Sequence, residues 1–321
     1  MNLRLSRLPL IALAAAIPLG ATAQQPYPSK PIRIVVPFGP GSATDTIARM
    51  IGEKAGKALG TSFVIDNRPG ANGLLAAREV VNAPKDGYTI MVSSNSAHAA
   101  NKYLYKDLGY DPVKDFAPIT GLTTNPHVFV VRSSLPVKNM KELIQYGKDN
   151  PGKLNMGSGN TGSLANASLM RTMAGFTAVD VQYKSPPPAV LDLIAGRIDF
   201  LSVDYFIVNE HIKAGSLRPL AVTSKARLQA LPDVPTVAET IPGYELNGWV
   251  AAFAPAGTPP DVVAKLNKAF GDVINSPEFQ DYMLKQGMQG FVTTPEELGA
   301  FQREQVVKWA DVLKKAGVEP E

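Results

Sequence analysis

The chain predicts an α/β protein of two lobes built on largely parallel sheets, with a C-terminal helical segment packing back on the first lobe. Three observations carry this expectation. Short β-branched runs alternate with helical stretches, which is the pattern of βαβ units. The alternation comes in two series, the second restarting near His127. The last quarter then turns to helices, each opened by proline and an acid. A length of 321 residues, 45 % of them hydrophobic, suits two domains of ~100–200 residues each.

The elements follow in order. Ile32 to Val36 reads as a buried first strand, and a Gly/Pro turn leads to a helix over Ala43 to Leu59. A strand at Phe63 to Ile65, a helix over Asn72 to Val81 and a strand at Tyr88 to Val92 complete the first series. The second series runs from a strand at His127 to Val131 through a helix at Met140 to Gly147 and a strand at Leu154 to Met156. A helix after Gly162, a strand at Val179 to Val181 and a helix at Ala189 to Ala195 follow, and strands at Ile198 to Leu201 and Pro219 to Val222 close it. Trp249 to Ala254 reads as one more strand. The openings Pro259-Pro260-Asp261, Ser276-Pro277-Glu278 and Thr294-Pro295-Glu296 place an acid in the first turn, where it complements the helix dipole. The chain then crosses between lobes twice, near 121–127 and 243–249, so that 24–125 with 249–321 form one lobe and 126–248 the other. Two crossings around a cleft are a hinge-closing arrangement.

Residues 1–23 read as a signal peptide. Arg4 and Arg7 form a basic start, Leu8 to Leu19 a short apolar core, and Ala21-Thr22-Ala23 a small-residue cleavage site. The apolar run is too short for a transmembrane span, which needs ~20 residues. The expected location is the periplasm, after cleavage near Ala23. There is no cysteine, which excludes disulfides, thiolate metal sites and cysteine nucleophiles. Three histidines leave little for a metal centre, and a net charge of +4 without charged blocks shows no nucleic-acid footprint.

Two glycine-rich loops sit between strand and helix: Pro37 to Asp45, and Gly157 to Ser163. Glycine lets backbone approach a ligand, and the helix that follows offers free N–H groups to an anion. A carboxylate gripped from both sides would use Ser42, Thr44, Ser158 and Thr161. Asn95 and His98 follow a strand at the carboxyl end of the first sheet, where open α/β sheets bind ligands; Asp204 is similarly placed in the second lobe. A capping role for each is an open alternative. Phe38, Tyr205, Phe206 and Trp249 are candidates for an aromatic wall. Gly157, Gly159 and Gly162 also match G-x-G-x-x-G with Asp180 downstream, the pattern of a dinucleotide site. Export and a lone fingerprint weigh against that reading. No Gly-Lys-Ser/Thr follows either loop, no Gly-x-Ser-x-Gly elbow exists, and no metal-ligand spacing occurs.

At these residues the chain resembles the periplasmic solute-binding receptors of tripartite tricarboxylate transporters, the Bug family. The likeness shows in Tyr27-Pro28-Ser29-Lys30-Pro31-Ile32-Arg33, Pro37-Phe38, and Asp45 with Ile47-Ala48-Arg49. It continues in Asn67-Arg68-Pro69-Gly70-Ala71-Asn72-Gly73, Pro84-Lys85-Asp86-Gly87-Tyr88-Thr89, Tyr110 to Phe116 and Leu231 to Thr236. The resemblance implies a two-lobe, Venus-flytrap, periplasmic-binding-protein-like fold, no catalysis, no cofactor and no metal. The implied partners are a small organic acid and the large and small membrane subunits of a transporter. The acid would be a di- or tricarboxylate, an acidic amino acid or an aromatic carboxylate. Carried over by motif, the ligand contacts fall on Phe38, Gly41, Ser42, Ala43 and Thr44 with Asp45 in support, and on Ser158, Asn160, Thr161 and Ser163. Relatives have Pro-Gly-Gly where this chain has Pro40-Gly41-Ser42, an added hydroxyl at the ligand loop. An exported serine-type hydrolase of small esters or amides is the second functional reading.

Overall fold

The computed structural model describes residues 26–321; the signal peptide expected over 1–23 lies outside the described residues. In chain order the elements are β1 (Ile32–Val36), α1 (Ala43–Leu59), β2 (Phe63–Asn67), α2 (Leu74–Val81), β3 (Thr89–Ser94), α3 (Asn101–Leu104) and β4 (Phe116–Asn125). Then come β5 (His127–Arg132), α4 (Met140–Asp149), β6 (Asn155–Ser158), α5 (Thr161–Ala174), β7 (Val179–Gln182), α6 (Pro186–Ile194), β8 (Phe200–Asp204), α7 (Tyr205–Lys213) and β9 (Leu217–Val222). The chain ends with β10 (Gly248–Pro255), α8 (Pro260–Ile274), α9 (Pro277–Lys285), β11 (Gln289–Gly290) and α10 (Pro295–Lys315).

Two sheets organise these elements. The first is six-stranded in the order β11-β4-β10-β3-β1-β2, and the second five-stranded in the order β7-β6-β8-β5-β9. The expectation of largely parallel sheets is corrected: both are mixed. β1 pairs in parallel with β2 and β3, and β6 with β7 and β8. The strands next to the crossings run the other way, β10 against β3 and β4, and β5 against β8 and β9. A strand that enters a sheet straight from the other lobe needs no crossover helix, so nothing forces it parallel.

Each sheet is covered on both faces. Ile32, Ile34 and Val36 point into a core shared with α1, α8 and α9, whereas Val35 joins a core shared with α2 and α10. Burial on both faces is why β1 reads as an unbroken apolar run. In the second lobe, Phe129, Val131, Met156 and Phe200 pack on α4 and α5, and Val128, Val130, Leu201 and Val203 pack on α6 and α7. α10 packs against the first sheet and also reaches the second lobe, where the Thr172 hydroxyl donates to the Ala316 carbonyl at 3.3 Å. Its start is a capping box, Thr294 accepting from Glu297 N–H while the Glu297 side chain accepts from Thr294 N–H. Among the described residues no helix is long and apolar enough to cross a membrane.

Candidate functional site

One cavity lies where the carboxyl ends of both sheets meet the crossings. It is lined by Phe38, Ser42, Ala43 and Thr44 from the β1–α1 turn, Ser94 and Asn95 from the end of β3, and Asn125, His127, Gly248, Trp249 and Val250 from the crossings. Asn160, Pro186 and Asp204 come from the second lobe. The cavity volume is only about 20 Å³, room for a water or two.

The first-lobe wall is the start of α1. Gly41 turns the chain with φ +80°, a conformation that favours glycine. The Ser42 hydroxyl accepts from Asp45 N–H at 3.4 Å and lies 3.3 Å from the Thr44 hydroxyl. The first helical N–H groups, on Ala43 and Thr44, have no intrahelical acceptor and carry the positive end of the helix dipole. Asp45 does not line the cavity. Its carboxylate accepts from Gly41 N–H at 3.0 Å, Asn67 Nδ2 at 2.9 Å and Arg49 Nε at 3.0 Å, and so ties the turn to its surroundings. Burial opposes its charge, but Arg49, Gly41 N–H and Asn67 outweigh that and hold its carboxyl below the usual range.

The second-lobe wall is the start of α5. Asn160 caps it, accepting from Ser163 N–H at 2.7 Å, while the Ser163 hydroxyl accepts from Asn160 N–H at 3.1 Å and Gly159 N–H at 2.9 Å. Of the four residues expected to grip ligand in this loop, only Asn160 lines the cavity. Ser163 is occupied within the capping box. Ser158 donates to Asp180 at 2.8 Å and does not line the cavity. Thr161 donates to Asn101 Oδ1 at 3.1 Å, a hydrogen bond between lobes rather than to a ligand. The glycines here serve packing. A Cβ on Gly157 would sit 2.4 Å from Ile198, and one on Gly159 2.5 Å from the Pro186 backbone.

His98 is corrected as well. A π-helical turn over Ser96–Ala100 follows β3 and carries the ring into the core, away from the cavity. There it stacks on Phe253 at 3.7 Å and meets Phe116 edge-on at 4.6 Å. Neither ring nitrogen has a hydrogen-bond partner. Burial pushes its pKa down to about 3, only partly offset by the Pro112 carbonyl, so it stays neutral. The histidine at the cavity is His127, read in the sequence only as the start of a strand. Its Nδ1 lies 3.1 Å from the Ser202 hydroxyl and its Nε2 3.8 Å from Asp204. Burial lowers the His127 pKa against the opposing pull of Asp204, and burial raises that of Asp204 against His127 and Asn125. Ser94, Asn125, Pro186, Gly248 and Val250 were also not anticipated. Most of them sit at the crossings, and a crossing is the signal that could have found them.

The same fold recurs in known proteins. BugT of Bordetella pertussis is 32% identical over 295 residues, covering 91% of this chain and 90% of that protein. An R. palustris protein solved with adipate superposes with a TM-score of 0.90 at 34% identity, over 92% of this chain and 100% of that one. MatC from Rhodopseudomonas palustris with bound malate gives a TM-score of 0.84 at 30% identity, over 89% of this chain and 100% of that one. Residues 47–318 match the model of the tripartite tricarboxylate transporter family receptor, and the chain belongs to that family.

Proposed function

We propose that the protein is a periplasmic receptor that closes on a small organic carboxylate and delivers it to a membrane transporter with one large and one small subunit. One observation carries this: the first turn of α1 and Asn160, the N-cap of α5, meet from opposite lobes over one cavity that no lysine or arginine lines. A buried carboxylate must be hydrogen-bonded to offset its desolvation. The N–H groups of Ala43 and Thr44, with neutral side chains such as Ser42, Asn95 and Asn160, can do so while leaving the ligand free to depart. Relatives solved with adipate and with malate support the same class of ligand. In this reading 24–125 with 249–321 move as one body and 126–248 as the other.

The hydrolase reading finds little support. Ser202, His127 and Asp204 do fall in the order serine, imidazole, carboxylate. Yet Ser202 is fully buried within β8 and does not line the cavity, so no ester could reach it. The deciding experiment is a thermal-shift screen of small organic acids, confirmed by calorimetry. A true ligand at a hundred times its dissociation constant adds ~2.7 kcal/mol to stability. A panel of aliphatic, hydroxylated, amino and aromatic acids that leaves the melting temperature unmoved overturns the proposal.

A further inference from the structure

Resting on the reading of the cavity as a carboxylate site, we propose that Asn95 and Asp204 together select an acid whose far end carries a neutral group that both accepts and donates a hydrogen bond. A hydroxyl or a carboxamide fits; a second carboxylate or an ammonium does not. The two residues approach the cavity from opposite lobes.

Asn95 supplies the donor. Its Oδ1 accepts from Trp249 N–H at 3.4 Å, which fixes the orientation of the amide, because only oxygen can face that N–H. The Nδ2 group is therefore turned away from Trp249. It is buried and has no partner, and Asn95 is only 4 % exposed. A buried N–H left unsatisfied is unfavourable, and a ligand oxygen in the cavity would satisfy it.

Asp204 supplies the acceptor. Its carboxylate is 5 % exposed, and no lysine or arginine lines the cavity to neutralise it. The groups facing it are His127, whose Nε2 at 3.8 Å is beyond hydrogen-bond length, and Asn125. His127 in turn is held from behind. Ser202 at 3.1 Å and Asn166 Nδ2 at 3.5 Å both lie at its Nδ1. An Nδ1 that accepts from them leaves the ring proton on Nε2, toward Asp204. Asp204 thus keeps acceptor capacity for a ligand.

The selection follows from what each end group can do. A carboxylate only accepts, so it would satisfy Asn95 and repel Asp204. An ammonium only donates, so it would satisfy Asp204 and leave Asn95 N–H against N–H. A hydroxyl accepts from Asn95 through its oxygen and donates its hydrogen to Asp204. A carboxamide does the same with its two atoms.

The test is calorimetry of the purified chain with acids of four, five and six carbons that differ only in the terminal group: methyl, hydroxyl, carboxamide, carboxylate and ammonium. The hydroxyl or carboxamide member is expected to bind about tenfold or more tighter than the carboxylate and ammonium members of the same length. Asp204→Asn should raise the affinity for the dicarboxylate relative to the hydroxy acid by about tenfold, and Asn95→Asp should do the same for the amino acid. Melting curves of each variant establish that it folds, and the two opposite swaps do not depend on one another. A parent protein that binds the dicarboxylate or the amino acid as tightly as the hydroxy acid overturns the inference, as does an unchanged ranking in a folded Asp204→Asn. Failure of every acid to bind overturns the carboxylate reading itself.

Discussion

His98 and His127 are both buried, but His98 is packed between Phe116 and Phe253 whereas His127 faces Ser202 and Asp204. The two could not be told apart from their neighbours in sequence. Asn95 to His98 leaves the carboxyl end of a central strand, which is where ligands bind, so His98 was the natural choice. The π-helical turn that carries it into the core is set by Phe116 and Phe253, contacts made with remote segments. Asn95, one turn earlier, does reach the cavity. The buried His98 ring has a consequence for acid stability. Its pKa falls from the ordinary 6.5 to about 3 in the fold. Below pH 6.5 the unfolded chain takes up a proton that the folded chain refuses, so the folded state loses stability as pH falls from 6.5 towards 3. Each pKa unit corresponds to ~1.4 kcal/mol. His98→Leu is therefore expected to melt with less acid sensitivity than the parent between pH 7 and pH 4.5, although burial of His127 leaves a residual slope of the same sign. Parallel melting-temperature profiles would show that His98 is not the cause. Because His98 does not line the cavity, the same variant should keep the parent's pH profile of ligand affinity.

Among the elements, α1 and most strands were legible because their signals are local. The α1 bounds follow from Ser42 at the start and Gly60, with φ +66°, at the end. β4 was missed because Pro118 and Gly121, both disfavoured inside strands, interrupt its apolar residues. It exists because β10 and β11 flank it, through two register shifts against β10, and because Phe291 packs over Gly121. α7 was missed because it follows β8 with no loop, Tyr205 coming directly after Asp204. The glycine fingerprint was visible, but its purpose was not. Its spacing reflects the close approach of the β6–α5 turn to the start of α6. Gly159→Ala is accordingly expected to push back the Pro186 backbone, which lines the cavity, and Ser185, whose hydroxyl accepts from Gly39 N–H at 3.1 Å. Overpacking of this kind destabilises by ~1–3 kcal/mol, and the variant should also bind ligand more weakly in calorimetry. Full affinity in Gly159→Ala would sink the packing account. At α1, Ser42→Ala should lower stability by about 1 kcal/mol in denaturant unfolding and Ser42→Gly by only a few tenths, because glycine is itself a fair N-cap. A glycine variant that loses much more affinity than stability would show that the Ser42 hydroxyl also touches the ligand.

At the scale of the whole molecule the governing fact is how closely the lobes meet. A cavity of about 20 Å³ has no room for an organic acid, so the proposed function requires the lobes to part for entry. The crossings permit it, since the two sheets are joined through the short links at Pro126 and just before Gly248. Four side-chain hydrogen bonds span the lobes among the described residues: Gly39 N–H to the Ser185 hydroxyl at 3.1 Å, the Thr161 hydroxyl to Asn101 at 3.1 Å, the Thr172 hydroxyl to the Ala316 carbonyl at 3.3 Å, and Asn209 Nδ2 to Gln286 at 2.7 Å. They exist only when the lobes are together, so they add to the stability of the closed state and not of the open one. Each is worth ~0.5–1.5 kcal/mol net, comparable to the few-kcal/mol differences that set open and closed populations. Thr161→Val keeps the side-chain shape and removes one of them; Ser185→Ala removes another. Each variant is expected to bind ligand about two- to tenfold more weakly. Most of that loss should fall in a faster dissociation rate, because the bonds form after the ligand has entered. X-ray scattering offers the structural check. The parent should show a smaller radius of gyration when saturated with acid than when free, and the variants should need more acid to reach the same compact form. Equal radii for free and saturated parent protein would mean that the lobes do not open as bodies, and that the bridging hydrogen bonds hold a rigid pocket together rather than latch a moving one.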